Sequence, residues 1–136
     1  MVKIRCSLLA VGVALGVLSG HALGAGGDDF ETRWRKAEQT VKSGAGQAYF
    51  TDVFFKEFFG KYTVHVNECT QKTGETMASE LMAAVELGAT GRVLAVLVRP
   101  QSKPGECFAE LVKKETFSRP PSDRFWIPVK VRFTKP

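Results

Sequence analysis

Histidine and cysteine are scarce in this chain, with two and three residues in 136, and their scarcity excludes more chemistry than any other feature of the composition. Metal centres and nucleophile–base pairs draw on these side chains and need several at fixed spacing. There is no Cys-x-x-Cys pair and no Gly-x-Ser-x-Gly turn. The Gly44-Ala-Gly46 stretch follows a helical pattern rather than a strand, so it is not a phosphate-cradling loop. No catalytic, metal or cofactor residue is nominated, and the chain reads as non-catalytic. Basic residues exceed acidic ones by five, but they are interspersed with acids rather than gathered in a stripe. That distribution speaks against a nucleic-acid partner.

A membrane-spanning run is also missing. The apolar stretch Leu8 to Leu18 is about half of the roughly 20 residues a spanning helix needs. Lys3 and Arg5 precede it and the small residues of Ala22-Leu-Gly-Ala25 follow, which is the order of a cleavable signal peptide over residues 1–25. Cleavage near Ala25 predicts a periplasmic or secreted protein with no stable membrane anchor. It removes Lys3 and Arg5, which lowers the formal charge from +5 to +3, and it removes Cys6. Residues 26–136 then form one domain, with a helical part at 26–68 and a second unit at 69–136. Two cysteines, Cys69 and Cys107, remain in an oxidising compartment, so they are expected to pair.

The mature segment divides by periodicity. Asp28 or Asp29 can cap a first helix in which Phe30, Trp34, Ala37 and Val41 share a face, and Gly44 suits its exit. A second helix follows Gly46. Its Phe50, Phe54, Phe58, Tyr62 and Val66 recur every fourth residue, while Tyr49, Val53, Phe55 and Phe59 widen the apolar face. That breadth predicts burial on two sides, against a sheet and against the first helix. Gly60 suggests a bend or close contact, and Cys69 closes the helix. Residues 70–79 read as a loop. Leu81, Ala83, Val85 and Leu87 then alternate, Gly88-Ala-Thr-Gly91 makes a turn, and Arg92 to Arg99 is β-rich, so a hairpin is predicted. A helix carries Cys107, Phe108, Leu111 and Val112 on one face, and Pro120-Pro121 forbids its continuation. Ile127, Val129, Val131 and Phe133 alternate in a last strand, and Pro128, having no N–H, places that strand at an edge or turns its free side outward at that point. The expectation is an α+β fold: N-terminal helices, then a β-β-α-β unit whose three-stranded antiparallel sheet carries helices on one face.

From about residue 69 to 134 this order resembles the carboxy-terminal domain of TonB-type energy transducers, in a short exported variant with a paired cysteine. The matching residues are Gly91-Arg92-Val93 at the turn, the second strand to Val98, the helix with Cys107 and Phe108, and Phe117-Ser-Arg-Pro120-Pro121 before the strand from Trp126 to Phe133. The family's membrane anchor, long proline-rich reach and Tyr-Pro element have no counterpart here. The resemblance therefore implies the fold and strand-edge recognition of a partner rather than energy transduction.

Two readings of function follow. The first is a binding domain of the cell envelope that recognises a protein or peptide by adding a strand to an open sheet edge, with Phe125, Trp126, Pro128, Lys130 and Arg132 as candidate contacts. The alternative is a small secreted inhibitor or immunity-type protein acting on an envelope enzyme or toxin. It would use loops such as Ser102 to Gly105 or Ser122 to Trp126, and exposure of Phe125 and Trp126 would favour it over their covering the core next to Ile127. A lipid or cell-wall module, suggested by the mild basicity and the phenylalanines, ranks last. His65 is expected on a helix flank as a boundary residue.

Overall fold

The computed structural model describes residues 29–133; the expected signal peptide lies outside them. Helix α1 covers 29–40. A long helical run follows, made of α2 (Gly44–Tyr49), a π-helical turn (Phe50–Phe54) and α3 (Phe55–Thr73). Strands β1 (Glu80–Leu87) and β2 (Val93–Arg99), helix α4 (Lys103–Lys113) and strand β3 (Phe125–Arg132) complete the chain. The fold is α+β, and its single sheet is antiparallel in the order β2-β1-β3.

Local chemistry accounts for the boundaries. Ser102 caps α4 by accepting a hydrogen bond from the Gly105 N–H at 3.1 Å, with Pro104 in the first turn. Helix α3 ends at Gly74, whose φ of 70° is the left-handed cap conformation and whose N–H returns to the Thr70 carbonyl. The helix thus runs one turn past Cys69, where the sequence reading had stopped it. Nothing between Cys69 and Gly74 breaks a helix, and Thr70 and Thr73 each hydrogen-bond a carbonyl four residues back. Gly60 is exposed in an unbroken helix, with open space where a side chain would be.

The sheet's odd-numbered positions in β1 and β3 face the main core. Leu81, Ala83, Val85, Leu87, Ile127 and Val129 meet Phe54 and Phe58 of the long helix and Phe108 and Val112 of α4. Each buried phenylalanine contributes about 2–3 kcal/mol by removal from water. Phe54 lies against Phe117 with ring centroids 4.7 Å apart, and Phe58 meets Phe108 edge-on at 6.2 Å. Cys69 and Cys107 bridge α3 to α4 at a Cα separation of 5.7 Å, so the expected pair forms.

The helical part from α2 through α4 lies on one sheet face, as expected, but α1 lies on the other. Its Ala37 packs with Ala84 and Trp126 on the even-numbered face, beside Trp34, Ala95 and Leu97. Arg33 sits over the Trp126 ring, and Arg99 stacks on Phe30 while pairing with Glu31. The reason is compositional: Met82 and Ala84 of β1 and Trp126 of β3 make the even-numbered face partly apolar, so it too needs a cover.

Candidate functional site

With strand order β2-β1-β3, the outer edge of β3 has no strand beyond it among the described residues. The ladder's alternation tells which backbone groups are left there. Phe133 donates to the Ser79 carbonyl at 2.8 Å, extending the β1–β3 register by one pair. Bonded pairs alternate with non-bonded ones in an antiparallel ladder, so odd residues of β3 bond β1 and even residues face outward. Lys130 and Arg132 therefore turn N–H and C=O groups to the free edge, and Pro128 turns only a carbonyl. The missing proline donor falls where β1 does not need it.

A groove of about 410 Å³ runs along this edge. Five consecutive residues of β3, Pro128 to Arg132, line it. Consecutive residues alternate between sheet faces, so all five can border one space only if the strand's backbone edge faces it. Opposite them stand Phe50, Phe54, Phe55, Phe58, Phe59 and Tyr62 on one side and Trp34 and Glu38 of α1 on the other. The helix builds the aromatic wall. Adjacent helix residues point about 100° apart, so Phe54 and Phe58 enter the core while Phe55 and Phe59 stand at the lip. Phe55 and Phe59 are 44% and 47% exposed, with their centroids 4.4 Å apart, and Tyr62 meets Phe59 edge-on at 5.0 Å.

Charge is uneven along the groove. At one end Lys130 and Arg132 share Glu80, at 3.5 Å and 2.8 Å. The hydrogen-bonded Arg132 guanidinium, aided by Lys130, holds the Glu80 carboxyl below the usual carboxylate range against a smaller opposing effect of burial. Glu38 of α1 also lines the groove.

The candidate contacts separate into two groups. Pro128, Lys130 and Arg132 border the groove, whereas Phe125 and Trp126 are buried, at 4% and 3% exposure. Phe125 joins the main core edge-on to Tyr49, and Trp126 lies under α1. Sequence reasoning missed Trp34, Phe55, Phe59 and Tyr62 as site residues. The excess width of the apolar arc was the signal, but it reads equally as burial within the chain. The Ser102 to Gly105 stretch is the α4 cap rather than a free loop. His65 is half-buried, with Nε2 3.1 Å from Glu115, a partner that also takes Lys61 at 2.6 Å.

A second, more open cleft of about 750 Å³ follows β2 and α4. Lys72, Lys103, Glu106 and Glu110 border it, so it has no continuous apolar wall. The register break at Leu87, where Leu94 is left over, further disrupts pairing along β2. Among the described residues no group of three or more His, Cys, Asp or Glu side chains is placed to hold a metal ion, and no helix is long and apolar enough to cross a membrane. No family model, curated protein or solved structure matches this chain.

Proposed function

We propose that this is a non-catalytic binding domain of the cell envelope that takes an extended segment of a partner protein as an added strand on the β3 edge. The observation that carries it is the lining of an aromatic groove by five consecutive residues of an edge strand. An acyl chain in the same groove would leave the outward N–H and C=O groups of Lys130 and Arg132 facing hydrocarbon, at about 1–3 kcal/mol for each unpaired group. An extended peptide pairs them, and its alternate side chains enter the aromatic wall. The TonB-like reading belongs to the same proposal and rests on the strand, strand, helix, strand order from β1 to β3 and on the short motifs within it. Export rests on the N-terminal pattern alone. The inhibitor alternative is not favoured, since its aromatic anchors Phe125 and Trp126 are inside.

The test is selection of short random peptides against the purified mature chain, followed by amide exchange of the complex. Selected peptides are expected to slow exchange at Lys130 and Arg132, and Phe59→Asp is expected to abolish binding without lowering thermal stability. Peptides that bind while leaving β3 exchange unchanged would sink the proposal.

A further inference from the structure

We infer that the strand accepted by this edge alternates apolar residues with carboxylates, the carboxylates falling beside Lys130 and Arg132; this rests on the strand-addition reading above. Residues at matching register in neighbouring strands put their side chains on the same sheet face. A residue set beside Val129 or Val131 therefore points to the side of Phe55 and Phe59. A residue beside Lys130 or Arg132 points to the other face, where those two cations stand.

On that face β1 supplies one carboxylate for two cations. Glu80 lies opposite Arg132 in the register and accepts from its Nε, and Lys130 reaches the other oxygen of the same group. The guanidinium keeps further donors in its fork, and Lys130 and Arg132 are 45% and 73% exposed. A carboxylate on an added strand supplies the second counter-charge and continues the row as acid, base, acid.

Charge also weighs against a second copy as occupant in the two registers centred beside the cations. Antiparallel pairing of two β3 edges about Lys130 sets lysine against lysine, and pairing about Val131 sets Lys130 against Arg132. Like charges directly opposite disfavour a sheet pair.

Three synthetic peptides with blocked ends test the inference by fluorescence anisotropy on the mature chain. The first alternates valine with glutamate, the second replaces each glutamate by lysine, and the third has the composition of the first with its valines and glutamates in separate blocks. The first is expected to bind about tenfold more tightly than the second. The third should bind no better than the second, and added salt should narrow the gap between the first two. K130E/R132E should reverse the order of those two. Glu80→Gln removes the inner competitor and should tighten the first peptide several-fold. If the charge reversal unfolds the chain, K130Q/R132Q replaces it and should bring the first two peptides to equal affinity. Equal affinities in the unaltered chain, or a preference that survives the changes at 130 and 132, overturn the inference while leaving strand addition standing. Binding by none of the three overturns strand addition itself, and the inference falls with it.

Discussion

The Tyr49 hydroxyl donates a hydrogen bond to the backbone carbonyl of Ser118 at 2.5 Å, tying α2 to the segment that leads into Pro120 and Pro121. Glu57 grips the same residue, accepting from its N–H at 3.0 Å and from its hydroxyl. The double-proline segment is therefore clamped from the long helix at two points. Tyr49 is buried, and burial, with a further contribution from the Glu57 charge, pushes its phenol up to about 12 from the ordinary 10.0. A folded-state value raised above the unfolded one means that this stability is fully present below pH 10 and is lost as pH rises through about 12. Tyr49→Phe should remove that alkaline loss and cost about 1–2 kcal/mol at neutral pH. Denaturant unfolding at neutral and alkaline pH measures both.

The Cys69–Cys107 bridge closes a loop with a sequence separation of 38. Reduction, or a double change to alanine, should lower unfolding free energy by about 4 kcal/mol in the chain-entropy model. Paired denaturation curves with and without reductant read the loss directly, and two titratable thiols in the native protein would show that the bridge does not form.

Glu115 has its carboxyl held below the ordinary 4.5, first by the hydrogen bond from Lys61, then by its charge and by His65, against an opposing effect of burial. A depressed folded-state value gives stability that is present above pH 4.5 and is lost as pH falls through the lower folded value. Glu115→Gln should flatten this acid limb. Because Lys61 and Glu115 are 38% and 24% exposed, the loss at neutral pH should be about 1 kcal/mol or less. Thermal unfolding between neutral and acid pH tests the slope.

Gly91 has a φ of 89°, and a methyl group there would overlap the Phe117 carbonyl. That carbonyl is fixed, since the Phe117 N–H donates to the Gly91 oxygen at 2.9 Å. Gly91→Ala should destabilise by about 3 kcal/mol or more, with strain and overlap acting together. Gly60→Ala, in open space on a helix, should stabilise by about 0.5–1 kcal/mol. Opposite signs in the two variants, measured side by side, check the distinction.

Much of the fold was legible because single residues carried it. The alternation of Leu81, Ala83, Val85 and Leu87 ahead of Gly88 and Gly91 marked the hairpin, and Pro128 marked the edge. The placement of α1 was not legible in its own stripe, since Phe30, Trp34 and Ala37 say only that an apolar face is covered. The clue lay in β1, where Met82 and Ala84 interrupt the polar half of the alternation. The groove was hidden for a related reason. Periodicity shows how wide an apolar arc is, but not whether the chain's own elements or a partner covers its second side, and at Phe55 and Phe59 the chain leaves it half open.

Pro128 has one further consequence. A bare sheet edge is a template on which copies of a strand can stack without limit, and an aromatic groove beside it adds to that hazard. With no N–H at the middle of β3, the row of donors is interrupted. An added strand finds no donor at that point, which disfavours continuous pairing along the edge and the stacking of copies on it.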